Sequence, residues 1–321
     1  MEKDGRQLAE EEIRAILQQD PAQVSSFSGE FFLEWNGCRA RDHFGIIPGG
    51  CPPGEIICGD GHLGKVDPAY PLMDLDQAIA KAVELRSDEG VVALSGGVDS
   101  ALVACLAGRE CVVVGVPGSH DLHRAHLAAG SLDLNLHEVL IDPSEIETAL
   151  AAVLPVIPKK DPVNASIAAT LYFVCRWAGE NGVERILAGQ GADELFGGYS
   201  RYLHTATLAE DMERDFWALP RQLARDQAVA WLFGAYFSLP YMDCRVVRAA
   251  RAIPAQMRVV NGVRKRPLRA VAARHLPESI ACYEKKAMQY GSGVMKEMER
   301  LAGRRGHKKD LAGYLREIQG R

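Results

Sequence analysis

Residues 90–108 read GVVALSGGVDSALVACLAG, and the fold of the chain is decided here. Four apolar residues, Val91 to Leu94, predict a buried strand, and the Ser-Gly-Gly that follows predicts a tight turn. The small, mostly apolar residues from Val98 onward predict a helix. A strand that runs through a glycine turn into a helix is typical of a nucleotide-binding α/β domain.

The turn itself has the composition of a phosphate-binding loop. Gly96 and Gly97 carry no Cβ that would keep a polyanion away from the backbone, and the first N–H groups of the helix point into the same space. Ser95 and Ser100 add hydroxyl donors. Asp99 would repel a phosphate unless a cation stood between them, so it implies Mg²⁺. An ordinary glycine-rich turn is the alternative interpretation, and the spacing is not that of a Walker A loop.

A second motif, LAGQGADELFGGY at 187–199, repeats the pattern of strand, glycine turn and acidic helix start. The carboxyl ends of parallel strands meet at one edge of a sheet, so Asp193 is expected to reach the same cation as Asp99. Asp99 and Asp193 are therefore the predicted metal ligands. Taken alone, an acidic residue at this point would be read as a helix N-cap.

The first of these motifs resembles the pyrophosphate loop of the N-type ATP pyrophosphatases, which cleave ATP to AMP and pyrophosphate. With the second motif and GVPGSHDL at 115–122, the resemblance is to the synthetase domain of asparagine synthetases and their relative β-lactam synthetase. It implies that the backbone at Leu94 and Val116 holds adenine and that Gly189 lies beside the ribose and α-phosphate. ATP and Mg²⁺ are the implied cofactors.

Helices and strands alternate through residues 71–205, which predicts an α/β fold with a parallel sheet and helices on both faces. The resemblance places this fold with the adenine nucleotide alpha-hydrolase-like (HUP) folds. We divide the chain into a small β-containing region at 1–70, the nucleotide-binding core at 71–205, and a helical acceptor-side region at 206–321. The 321 residues, 47% apolar and 25% charged, allow one large or two ordinary domains.

The N-terminal region resembles part of a class II glutaminase domain in two fragments, 27–35 and 40–46. In that family the nucleophile is an N-terminal cysteine, whereas this chain has Glu2. The resemblance therefore implies a truncated glutaminase remnant without a nucleophile. A structural cap over the sheet is favoured for residues 1–70, and a docking domain is the alternative.

The C-terminal region contains YEKKAMQYGSG at 283–293, a glycine-rich segment with two lysines. Such a loop suits a lid that brings a cation to the α-phosphate. Alignment of its Gly-Ser-Gly with the family selects Lys285 as the catalytic lysine, with Lys286 second. A basic surface loop without a catalytic role is the alternative interpretation. Arg245, Arg248 and Arg251, at helical spacing, predict a solvated face.

Composition limits the partners and the compartment. A net charge of −5 argues against nucleic acid as the main partner, and neither an apolar run of 18 residues nor a signal sequence occurs, so we expect a cytoplasmic protein without membrane contact. Eight cysteines in so long a chain do not form a disulfide framework. Three of them lie near a histidine (Cys38, Cys51 and Cys58, with His43 or His62) and could bind zinc. Packed free thiols are favoured.

The function implied by the resemblance is an AMP-forming amide synthetase. A carboxylate, with aspartate or an analogue favoured, would be activated as an acyl-adenylate and attacked by ammonia, supplied free or by a separate glutaminase subunit. Gln190 stands where asparagine synthetases commonly have Glu and β-lactam synthetase has Tyr, so the resemblance implies a catalytic position next to the reacting carbonyl. An amide cannot act as a base there, but it can orient a nucleophile or an oxyanion. Adenylation of another metabolite or of tRNA, and a decayed nucleotide-binding protein, are the alternative functions. A homodimer is left open.

Overall fold

The computed structural model describes residues 1–283, 288–308 and 310–320. The strands are β1 Glu2–Lys3, β2 Arg6–Gln7, β3 Phe32–Trp35, β4 Cys38–Arg41, β5 Glu55–Cys58, β6 Gly61–Lys65, β7 Val91–Ala93, β8 Cys111–Gly115, β9 Leu136–Leu140, β10 Arg185–Leu187 and β11 Tyr236–Ser238. The helices are α1 Glu10–Gln19, α2 Leu75–Glu84, α3 Val98–Ala107, α4 His120–Leu132, α5 Ile146–Val153, α6 Pro162–Glu180, α7 Ala192–Phe196, α8 Leu208–Trp231, α9 Cys244–Arg251, α10 Ala255–Arg258, α11 Arg266–His275, α12 Glu278–Ala281, α13 Met288–Gly291, α14 Val294–Arg304 and α15 Leu311–Gln319.

Five strands form the central sheet in the order β11-β10-β7-β8-β9. β7 lies between β10 and β8 and is parallel to both, and β8 is parallel to β9. Val91, Val92 and the whole of β8 are buried, as expected for strands covered on both sides. The prediction of an α/β fold with a parallel sheet flanked by helices is confirmed.

The local elements of this sheet also agree with the sequence pattern. The predicted strand 91–94 is β7, and the predicted loop helix is α3, which is buried over its first two turns. Two further helices of the region in which helices and strands are predicted to alternate are α4 and α6. Pro162 is the first residue of α6, after the N-cap Asp161, whose carboxylate accepts from the Asn164 N–H at 2.9 Å.

The chain forms two compact units that interleave along the sequence. Unit 1 comprises residues 1–88, 190–224 and 238–267, and unit 2 comprises 89–189, 225–237 and 268–321. This division rests on contacts in space and does not test the three consecutive regions inferred from the sequence, which remain a prediction.

Unit 1 contains an antiparallel sheet, β3-β4-β5-β6, whose core includes Val24, Phe27 and Phe31. Within it Cys38 lies opposite Cys58 across β4 and β5, and the two are joined by a disulfide. The expectation of free thiols at these two positions is therefore wrong, because strand pairing brings together residues 20 apart in sequence. Cys51 is free and buried. Within the described ranges, three or more potential metal ligands do not cluster anywhere.

A buried ionic network also lies in unit 1. Arg245 is buried, with its guanidinium 2.6 Å from Glu2 and 3.0 Å from Asp243, so its assignment to a solvated face is wrong. Arg86 joins Asp243, at 3.0 Å, to Glu30, at 2.9 Å. Arg248 and Arg251 are exposed, as predicted. Glu2 is thus one acid of a structural network.

None of the helices described is long and apolar enough to cross a membrane.

Candidate active site

The loop between β7 and α3 is held by its two serines. The Ser100 hydroxyl accepts from the Ser95 N–H at 3.2 Å and lies 3.0 Å from the Ser95 hydroxyl. It donates in turn to the Gly97 carbonyl at 3.2 Å. Gly97 is the N-cap of α3 and has extended backbone. The loop thus curls around the start of the helix, where the N–H groups that precede the first helical bonds face a prospective anion.

Gly96 is required here for a reason beyond ligand access. Its φ is +70°, and a Cβ on it would lie 2.4 Å from the carbonyl carbon of Arg124, in α4. Only glycine combines this left-handed backbone with such close packing. The packing of Gly96 against α4 therefore fixes the conformation of the loop before any phosphate binds.

The two motifs meet at Gly189 and Asp99. Gly189 follows β10, and a Cβ on it would be 3.0 Å from the Asp99 Cβ and 3.2 Å from the Ser100 nitrogen. Asp99 lies in the first turn of α3 and is buried. Since β10 and β7 are neighbouring parallel strands, their carboxyl ends place both glycine turns at one edge of the sheet. A buried carboxylate beside a phosphate loop fits a magnesium ligand.

The backbone groups predicted to hold adenine are engaged within the protein. The Leu94 N–H donates to Val112 O at 2.9 Å, inside the sheet. The Val116 N–H, just after β8, donates to the carbonyl of Ser292 at 2.9 Å. Binding of adenine through the Val116 N–H would therefore require the Ser292 carbonyl to move.

Lys285 and Lys286 lie outside the described residues, but both flanks of their segment are described. On one side the Tyr283 hydroxyl pairs with His120 Nε2, and the Arg124 guanidinium covers the Tyr283 ring at 3.5 Å. On the other side Ser292 is buried and its hydroxyl lies 3.2 Å from that of Thr170. The N-terminal flank thus contacts α4, which begins five residues after β8.

The acidic motif belongs to unit 1 and is organised by a lysine that the sequence did not point to. Lys265 is buried, and its Nζ lies 2.6 Å from Asp193 Oδ1. Gly198 packs on this pair so closely that a Cβ would be 1.7 Å from the carboxylate oxygen and 2.2 Å from the Lys265 Cε. Asp193 as a magnesium ligand would share its carboxylate with Lys265. Gln190, in the same motif, is half-buried.

Glu194, next along the chain, has a different environment. It is buried and accepts hydrogen bonds from the Tyr199 hydroxyl and from Gln222 Nε2, the latter at 3.3 Å. Burial, followed by the negative charge of Asp193, raises the pKa of the Glu194 carboxyl to about 7. The two adjacent acids therefore differ in their partners. The Asp193 carboxylate is ion-paired with Lys265, whereas the Glu194 carboxyl accepts hydrogen bonds from neutral donors.

Sequence reasoning missed Lys265 and the His120–Tyr283 pair. Lys265 lies in an Arg-Lys-Arg run that is indistinguishable from surface charge, and its φ of +56° is unusual for a residue with a side chain. His120 does lie within the quoted motif at 115–122. No sequence signal, however, joined it to Tyr283, which is 163 residues away.

Comparison with known proteins identifies a family that this chain matches. Residues 74–238 and 217–317 match the sequence profile of the family described as Asparagine synthase. A protein of Methanocaldococcus jannaschii assigned as asparagine synthetase (glutamine-hydrolysing) 1 is 32% identical over 281 residues, which are 73% of this chain and 52% of that one. Asparagine synthetase B (glutamine-hydrolysing) of Escherichia coli is 28% identical over 250 residues, 69% of this chain and 45% of that one.

The chain spans about half the length of these curated relatives. Among solved structures, an NH3-dependent NAD synthetase of Campylobacter jejuni aligns with 77% of this chain and 94% of its own, at 15% identity and a TM-score of 0.36. A similarity at that level supports no inference about activity.

Proposed function

Because this chain belongs to the asparagine synthase family, we propose that it is an ATP-dependent carbon–nitrogen ligase that forms an amide from a carboxylate and ammonia. One observation carries the proposal. Gly189 packs against Asp99, so the phosphate loop and the second glycine turn meet at one edge of the parallel sheet. This is where a nucleotide binds in such folds.

The first half of the proposed reaction activates the acid. The carboxylate oxygen attacks the α-phosphorus of ATP, an acyl-adenylate forms, and pyrophosphate leaves. The loop from Ser95 to Ser100 would bind the departing phosphates through backbone N–H groups and hydroxyls, and Asp99 and Asp193 are the residues that would hold Mg²⁺. Such a cation would neutralise the phosphate charge. Lys265 adds a fixed positive charge beside Asp193.

The lysine-bearing segment supplies a second positive charge in this proposal. Lys285, with Lys286 as the second candidate, neutralises the α-phosphate as negative charge develops there. What supports this role is the position of the N-terminal flank, since Tyr283 contacts His120 and Arg124 of α4.

In the second half, ammonia attacks the acyl carbon and AMP leaves. We propose aspartate as the acceptor acid. Glu2 is buried in an ion pair with Arg245, and its carboxylate is not a thiol nucleophile. The proposed source of ammonia is free ammonia or a separate glutaminase subunit. The purified chain should therefore form amide with ammonium and not with glutamine alone.

The test follows AMP and pyrophosphate release by the purified chain with ATP, Mg²⁺, ammonium and a panel of carboxylic acids. Asp99→Asn should lower pyrophosphate release at least a hundredfold without changing the unfolding midpoint, since one charged ligand of the cation is lost. Asp60→Asn, at an exposed acid whose side chain forms neither a hydrogen bond nor an ion pair with the described residues, is the matched control. Normal turnover of Asp99→Asn, or release of ADP in place of AMP, would refute the proposal.

A further inference from the structure

Unit 1 contains a cavity that the proposed reaction does not use. It has a volume of about 350 Å³, within the range of roughly 300–1,000 Å³ typical of small-molecule sites. Its lining comes from the region after β4, the segment after β6, and α9. The lining residues are His43, Phe44, Asp67, Pro68, Ala69, Cys244, Val247, Arg248 and Arg251.

The floor of the cavity is apolar and the rim is charged. Phe44, Pro68 and Val247 are buried, whereas Asp67, Arg248 and Arg251 are exposed. A buried apolar floor under exposed polar groups is the usual construction of a site that orients a small ligand. The His43 ring is fixed at the wall, because its Nδ1 lies 2.8 Å from the Val66 carbonyl oxygen.

Arg251 is already neutralised within the protein. Its Nη2 lies 2.8 and 3.0 Å from the two carboxylate oxygens of Glu213, and its guanidinium covers the Phe216 ring at 4.4 Å. Phe216 in turn packs edge-on against Phe44 at 5.6 Å. Arg251 therefore serves as a rigid wall, and the charge offered to a ligand is set by the other two ionic groups.

Those two groups, the Arg248 guanidinium and the Asp67 carboxylate, carry opposite charges and do not form an ion pair with each other. Arg248 donates from Nη1 to the Tyr70 carbonyl at 2.6 Å, which leaves the charge of its guanidinium without a carboxylate partner among the described residues. The Asp67 side chain forms neither a hydrogen bond nor an ion pair with the described residues, although its backbone N–H donates to Ser25 O at 2.8 Å. The two are not ion-paired with each other.

One cation and one anion over an apolar floor complement a zwitterion. We propose that this cavity binds a free α-amino acid, with the α-carboxylate on Arg248, the α-ammonium on Asp67, and an apolar or amide side chain over Phe44 and Val247. Guanidinium and carboxylate groups bind their opposites through charge-assisted hydrogen bonds. The inference concerns binding only and holds whether or not the ligase proposal does.

The experiment measures binding by calorimetry for the full chain without ATP. The probes are asparagine, glutamine, leucine and valine, each compared with its decarboxylated amine and its deaminated acid. At least one amino acid should bind, and removal of either charged group should weaken binding tenfold or more. Failure of all four at 10 mM, or equal binding of an amine or acid analogue, would overturn the proposal.

Variants locate the site. Arg248→Gln and Asp67→Asn should each weaken binding at least tenfold. Arg248→Lys keeps the positive charge and a donor for the Tyr70 carbonyl, so its affinity should fall less. Arg221→Gln, at an exposed arginine outside the cavity, should bind as the wild type does. Equal affinity of the wild type, Arg248→Gln and Asp67→Asn would place the ligand elsewhere and refute the assignment, and unfolding midpoints show whether each variant is folded.

Discussion

Lys265 and Asp193 form an ion pair, with 2.6 Å between the ammonium nitrogen and a carboxylate oxygen. The lysine is buried and the aspartate is half-buried. Gly198 fits against both side chains and has no room for a Cβ. An acid proposed to hold magnesium thus has a fixed cation beside it.

Replacement of Lys265 tests whether this charge serves the reaction. Lys265→Met should lower kcat for AMP formation at least tenfold, equivalent to about 1.4 kcal/mol, because the developing pyrophosphate loses a preorganised cation. Lys160→Met, at an exposed lysine, is the matched control. Unchanged kcat and KM in Lys265→Met would show that the ion pair is only structural.

Gly96 offers a test of the shape of the phosphate loop. Gly96→Ala places a Cβ against the Arg124 backbone at a φ of +70°, whereas Gly108→Ala has a φ of +57° and nothing within 4 Å. Both variants should lose about 1 kcal/mol for left-handed backbone, and Gly96→Ala should lose a further 1–3 kcal/mol or so from the clash. Urea unfolding measures the difference, and the KM for ATP should rise only in Gly96→Ala. Equal destabilisation of the two would mean that the close contact is absent.

The parts of the fold that the sequence predicted are those encoded locally. An apolar run and a glycine turn predicted β7 and α3, because a buried parallel strand and a tight turn need those residue types in consecutive positions. Arg245 could not be assigned in the same way. Its partner Glu2 is 243 residues away, and the hydrophobic period of α9 does not reveal which arginine is buried.

The candidate site divides along the same line. Asp99 and Gly189 were identified from their own motifs, and the structure brings them together. Lys265 and the His120–Tyr283 pair depend on tertiary contacts that leave no local pattern. The roles of Asp193, Gln190, Lys285 and Lys286 remain predictions.

The disulfide in unit 1 should contribute measurably to stability. Closing a loop between residues 20 apart lowers the conformational entropy of the unfolded chain, which stabilises the folded state by about 3 kcal/mol. Cys38→Ser/Cys58→Ser should lower the free energy of unfolding by that amount, and dithiothreitol should do the same to the wild type while leaving the double variant unchanged. Thiol alkylation after denaturation without reductant should modify six of the eight cysteines, and modification of all eight would contradict the bond.

The buried carboxyl of Asp42 is expected to make the free energy of unfolding depend on pH. It is fully buried, and burial raises the pKa of its carboxyl from 3.8 to about 6, although the Ile46 and Ile47 N–H groups donate to it and oppose the shift. Since the folded state holds this proton more tightly than the unfolded chain does, stability falls as pH rises from about 4 to about 6. The loss is roughly 3 kcal/mol at most.

Asp42→Asn should remove that loss. Urea unfolding at pH 4 to 7 would show the wild-type free energy of unfolding falling relative to that of the variant, because an amide does not ionise in this range. Parallel curves for the two proteins would show that the carboxyl titrates alike in the folded and unfolded states.

Gln190 is proposed to lie beside the reacting carbonyl, so its replacement tests which acid is activated. If it only orients an aspartate acceptor, Gln190→Glu should preserve or raise ammonia-dependent amide formation, because the side-chain volume is nearly unchanged and a base is gained. If the natural acceptor instead presents an anionic group to this amide, the new carboxylate repels it, and activity falls about tenfold for each 1.4 kcal/mol of repulsion. AMP release from a panel of carboxylic acids, measured with both proteins, separates the two cases. Aspartate inert with both, together with another acid turned over only by the Gln190 form, would mean that this chain makes a different amide on the same scaffold.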